Sequence, residues 1–228
     1  MTSNKLIILF LFALNTVFSQ EKIDSTLTKV KLNKWSIEIG TGISNGTRPY
    51  TKDYFSSDNN NLFNDFKLNC FIVGAKYNFS KIIGLKMDLA FDRFTNNKEG
   101  RSKPFEVAQY RTSIQAIFNL NSLITPKNEL SKFNLFFNAG LHLAMLKPIE
   151  TDYSPVVSNG DSYGGFVLGI SPTLQISKKT SLYFNFSSFS NYGQNLTWNG
   201  KHSEVSNNSS GHMISGTFGL SFALDKKQ

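Results

Sequence analysis

The chain has 228 residues, a formal net charge of +8, 21 phenylalanines, 16 glycines and a single cysteine, Cys70. That length suits one domain, and one thiol excludes an intramolecular disulfide framework. The basic residues are scattered, with no arginine cluster and no nucleic-acid motif, so no nucleic-acid partner is expected.

Lys5 precedes an apolar run, LIILFLFALNTVF over 6–18, which is shorter than the roughly 20 residues of a membrane-spanning helix. Val17 and Ser19 supply small residues ahead of a cut before Gln20. Residues 1–19 therefore read as a cleaved secretory signal, and 20–33 as a periplasmic segment.

From there, bulky apolar residues alternate with small or polar ones in eight segments: 34–44, 66–80, 82–95, 105–120, 132–147, 163–176, 180–192 and 211–224. No helical period persists. The first, third, fifth and seventh connections (45–65, 96–104, 148–162 and 193–210) are medium to long. Those at 81–82 and 177–180 are short, and 121–131 is longer than its place in the series predicts. Long connections on one side and short turns on the other are the habit of transmembrane barrels.

The two strand faces decide which side is out. In GLKMDLAFD (84–92), Leu85, Met87, Leu89 and Phe91 share one parity and Lys86, Asp88, Ala90 and Asp92 the other. Throughout the chain the bulky set is too large for the interior of an eight-stranded barrel, whereas the Gly/Ser/Asn set fits. The bulky face must then look outward into hydrocarbon. A soluble sandwich could bury that face between two sheets, but it explains neither the loop asymmetry nor the last strand. The predicted fold is an all-β, eight-stranded antiparallel up-and-down transmembrane β-barrel over 34–224, with a tail at 225–228.

The last strand, TFGLSFAL (217–224), carries Thr217, Gly219, Phe222 and Leu224 in the order polar, glycine, aromatic, apolar. This is similar to the C-terminal signal by which outer-membrane barrels are recognised for assembly. Together with KWSIEIGTGIS (34–44), KYNFSKIIGLKMDLAFDRF (76–94), YRTSIQAIFNL (110–120), LFFNAGLHLAMLKP (135–148) and ISGTFGLSFAL (214–224), it makes the chain resemble the barrel half of the OmpA family, in the branch found in Bacteroidetes. The resemblance implies the outer membrane of a Gram-negative bacterium, lipid and the barrel assembly machinery as partners, and a role in envelope integrity or surface contact. The family usually continues into a soluble peptidoglycan-binding domain. The sequence in hand ends at Gln228, so that function is not carried over.

On the inward parity, Glu38 and Lys76 fall at similar depth on adjacent strands, as do Asp92 and Arg111, with Lys86, Asp88, Gln115 and His142 nearby. A buried unpaired charge is costly, so these residues are expected to form an ion-pair ladder filling the lumen. The alternative is a gate in a narrow porin for small solutes. The long connections carry Arg48, Tyr50, Tyr54, Phe55, Phe63, Tyr153 and Trp198, a candidate surface for an extracellular ligand; rim anchoring and loop packing are the plainer reading. KHSE places His202, Ser203 and Glu204 in the last loop, and His212 stands at the outer end of the eighth strand. A lipid-modifying enzyme would need one of these histidines to meet a serine and a carboxylate. No assembled catalytic motif is present, so no enzymatic activity is expected. No metal-ligand spacing or nucleotide loop appears, so no cofactor is expected either. The chain is expected to be a monomer.

Overall fold

The computed structural model describes residues 34–48, 68–95, 105–124, 132–151, 160–203 and 210–224. The strands are β1 (Trp35–Arg48), β2 (Cys70–Asn78), β3 (Ile83–Thr95), β4 (Phe105–Asn119), β5 (Phe133–Thr151), β6 (Asp161–Gln175), β7 (Thr180–Tyr192) and β8 (Ser210–Ala223). They pair in chain order, all antiparallel, and β1 closes on β8, so the barrel is complete. Closure leaves no open edge for another strand to pair with. β1 and β5 run farther toward the long-connection end than alternation predicted, to Arg48 and Thr151.

Two short turns are built alike. Ser80 Oγ accepts the backbone N–H groups of Ile82 and Ile83, and Ser177 Oγ accepts those of Lys179 and Thr180. In each case a serine hydroxyl satisfies donors that the turn takes out of the ladder. The longer connection after β4 opens with a short helix, α1 (Leu120–Ile124), which alternation did not predict. Asn119 Oδ1 caps it by accepting Ser122 N–H at 3.3 Å, and Asn121 ties it to β5 through Leu135 N and Phe133 O.

Pro172 has no N–H to give, and the β6–β7 ladder lapses between Ile170↔Phe186 and Thr173↔Tyr183 with the same register on both sides. In β1 a bulge falls between Gly46↔Met213 and Arg48↔His212, leaving Thr47 as the extra residue.

The outer surface is apolar. Trp35, Phe71, Leu89, Ile114, Leu143, Phe166, Phe186, Ile214 and Phe222 all face outward and are exposed. The buried residues are the charged, amide and hydroxyl groups of the opposite parity, joined near one mouth by an apolar cluster. This inverts the arrangement of a water-soluble domain.

Candidate functional site

The lumen is layered. In the middle, Lys86 Nζ lies 2.8 Å from Glu38 Oε2 and 3.4 Å from Asp88 Oδ1, with all three side chains buried. Gly74 makes this three-way contact possible. It stands opposite Glu38 on one side and Asp88 on the other, and a Cβ there would run into the Asp88 carboxylate. With no side chain on β2 at that level, Lys86 reaches across to β1.

The ladder expected from the sequence therefore needs one correction: Glu38 pairs with Lys86, not with Lys76. Lys76 is opposite Lys86 in the register. Its ammonium turns instead toward the short-turn end, where it sits 3.4 Å from the centroid of the Phe136 ring. Gln115 Nε2 donates to Asp88 Oδ2 at 2.8 Å and to Ser113 Oγ at 2.8 Å, occupying the carboxylate from the β4 side.

One layer higher, Arg111 Nη2 and Nε approach Asp92 Oδ2 at 3.3 and 3.4 Å. The Ser44 hydroxyl donates to Asp92 Oδ1 at 2.6 Å and lies 2.9 Å from Ser215 Oγ. The guanidinium carbon of Arg111 is 4.1 Å from the centre of the Phe189 ring, whose face borders His142 edge-on at 5.2 Å. Across the barrel, Asn138, Ser171, Asn185 and Ser187 form a chain of neutral hydrogen bonds between 2.7 and 3.0 Å. Lys86 and Arg111 thus each meet a carboxylate, whereas Gln109 Oε1 and Gln115 Oε1 are buried without a hydrogen bond.

The long-connection mouth is closed by apolar residues that parity reasoning missed. Phe94, Phe105, Leu146, Tyr163, Phe189 and Met213 point inward and surround Trp198, which is 0% exposed. Trp198 was expected on an exposed binding surface; here it is the plug. Its indole meets Phe94 with ring centroids 5.0 Å apart, and its Nε1 donates to Arg48 O at 2.6 Å. A side chain at position 46 would strike the indole, so Gly46 is what admits it.

The segment carrying Trp198 is folded, not loose. Asp161 accepts Asn195 N at 2.6 Å and Leu196 N at 2.8 Å, Leu196 and His202 form a bridge, and Gly200 takes a φ of 80° in the turn between them. The reason is local. The strands present an apolar ring at this end, and among the described residues it is the large side chain of Trp198, from the connection, that covers it. Arg48 is exposed at the end of β1. Tyr50, Tyr54, Phe55, Phe63, Tyr153 and Glu204 lie outside the described residues.

In β8, Thr217 points inward and is buried, whereas Phe222 faces out; Leu224, one residue past the strand, is exposed. Gly219 pairs with Gly40, and a Cβ at Gly40 would meet the Tyr183 hydroxyl and the Phe218 carbonyl. Gly40 makes room for Tyr183 inside the barrel.

The histidines part company. His202 is exposed in the cap hairpin. His212 faces outward at the rim, where its Nε2 lies 2.9 Å from Ser188 Oγ and its Nδ1 lies 2.6 Å from Thr47 Oγ1. Beside it is an open groove of about 580 Å³, lined by Arg48, Ser190, Tyr192 and Ser210 among others.

Neither protein-family models nor the sequences of curated proteins give a match to this chain. Among solved structures, Neisserial surface protein A is 11% identical, covers 83% of this chain and 97% of its own, and superposes with a TM-score of 0.49. Ail, the attachment invasion locus protein of Yersinia pestis, solved in complex with the heparin analogue sucrose octasulfate, is 13% identical over 84% of this chain and 99% of its own, at 0.46. The N-terminal β-barrel domain of Pseudomonas aeruginosa OprF is 10% identical over 83% and 98%, at 0.44. At such identities the likeness is one of architecture and carries nothing about activity.

Proposed function

We propose that the chain is a monomeric outer-membrane barrel of a Gram-negative envelope, with a filled lumen and a structural or surface-interacting role. The observation that carries this reading is the inverted distribution of polarity. Charged pairs are sequestered inside a closed barrel, and a continuous apolar belt faces out, where only hydrocarbon would tolerate it. In this reading the long connections are extracellular and the short turns periplasmic. Thr217, Gly219, Phe222 and Leu224 belong to the strand offered to the barrel assembly machinery. An extracellular ligand would be met by Arg48 and the tyrosines at 50, 54 and 153, without Trp198, whose ring is committed to the plug.

A narrow porin needs a continuous water path, and the Trp198 plug and the Arg111–Asp92 layer stand in its way. The test is ion conductance of the refolded protein in a planar bilayer, with Asp92→Ala and Arg111→Ala beside the wild type. No steady current from the wild type is expected. A steady wild-type current altered by either substitution would replace this reading with a gated pore.

A further inference from the structure

The outer rim between β7, β8 and β1 holds polar groups where the belt ends. Outward-facing Ile43 and Ile214 are the last apolar residues of β1 and β8 before Asn45, Thr47 and His212. Thr47 is the bulged residue of β1. An extra residue in a strand re-aims its side chain, and this one is turned onto His212. Thr47 Oγ1 is also within 3.2 Å of the His212 carbonyl oxygen. A hydroxyl has one proton. When Thr47 donates it to that carbonyl, its oxygen accepts Nδ1–H. The tautomer assigned in this way leaves Nε2 as the acceptor for the Ser188 hydroxyl. A serine is thereby paired with a histidine base that is oriented from behind by the Thr47 hydroxyl, in the place where a carboxylate was expected.

The surroundings define a substrate class. Ser190 is directly opposite His212 in the ladder and shares the outward face with Ser188. Ser190 and Arg48 line the polar groove, and both side chains carry hydrogen-bond donors, the chemistry that a developing oxyanion requires. On the other side of Tyr192, which lines both, an open apolar trough of about 860 Å³ runs over Leu89, Tyr110, Thr112, Leu143 and Met145 on the outward face. A polar groove beside an apolar trough, at the upper edge of a hydrocarbon belt, suits a molecule with an ester head and a long acyl chain.

We propose that Ser188, His212 and Thr47 form a hydrolytic site for carboxyl esters of long-chain lipids on the outer face of the barrel. Ser188 Oγ attacks the ester carbonyl while its proton passes to His212 Nε2. The intermediate collapses, the C–O bond to the alcohol breaks, and the alcohol leaves with that proton. Water, deprotonated by His212, then attacks the acyl-serine. The fatty acid departs and Ser188 regains its proton, so that ester and water become alcohol and acid. Thr47 is a positioning residue: it holds the ring through Nδ1. The lipid substrate class rests on the membrane reading above, whereas the serine–histidine geometry stands without it.

The test is hydrolysis of 4-nitrophenyl dodecanoate in detergent micelles by the refolded protein, with far-UV circular dichroism and trypsin resistance reporting that each variant is folded. Turnover by the wild type is expected to fall by roughly 100-fold or more in Ser188→Ala and in His212→Ala. Thr47→Val should lower kcat at unchanged KM, and Thr47→Ser should restore it. An alkyl fluorophosphonate should label Ser188, and labelling should be lost in His212→Ala. Folded wild type that neither turns over the ester nor takes the label would overturn the proposal. So would activity undiminished in Ser188→Ala. Either result would leave the membrane-barrel reading standing, because bilayer insertion is measured separately.

Discussion

Gly46 and Trp198 occupy one space, and each explains the other. The indole fills the mouth because position 46 has no side chain, and a methyl group there would collide with the ring. Trp198→Ala should cost about 3–5 kcal/mol through the cavity it leaves. It should also speed tryptic cleavage after Lys201 by releasing the cap hairpin. Gly46→Ala should produce the same phenotype by expelling the ring. The double variant should be no less stable than Trp198→Ala alone, because the clash disappears with the indole. Urea midpoints in lipid vesicles and the rate of cleavage at Lys201 check both statements; additive losses would mean that the two residues act independently. Nothing local in the sequence announces this pair. Trp198 is flanked by Thr197 and Asn199, which reads as a polar loop. Its cover comes from Phe94, Leu146 and Phe189 on three remote strands.

The strands themselves were legible because a barrel repeats one instruction, alternation, along every element. The charges inside were legible too, as an inward set. Their partners were not, since pairing depends on cross-strand register and on what is missing between strands. Glu38 reaches Lys86 only because Gly74 leaves the intervening level of β2 empty. Ser188 and His212, 24 residues apart, and Thr47, 165 from His212, are likewise joined by register and a bulge. The Glu38–Lys86–Asp88 cluster makes a clear prediction. Lys86→Met strands two buried carboxylates and should lower stability by about 3–5 kcal/mol. The triple variant Glu38→Gln, Lys86→Met, Asp88→Asn removes the charges together and should recover most of that loss, as read by urea unfolding. If the triple variant is as unstable as the single, the carboxylates are not held by Lys86.

At the scale of the whole molecule the decisive property is which face meets which medium. Leu141 lies midway along the belt, is 54% exposed and pairs with Ile114 and Phe166 across the flanking strands. Ile149, the bulged residue of the same strand, is 58% exposed but sits beyond the belt, near the long-connection end. In water these two positions are equivalent, and arginine at either would be harmless. In a bilayer they differ by depth. Arginine on the lipid face costs about 2–4 kcal/mol at the midplane and about 0–1 near the interface. Leu141→Arg should therefore lower folding into vesicles, measured by urea midpoint and by trypsin-protected yield, while Ile149→Arg should leave both near wild type. Equal tolerance at the two sites would mean that the belt does not lie in hydrocarbon.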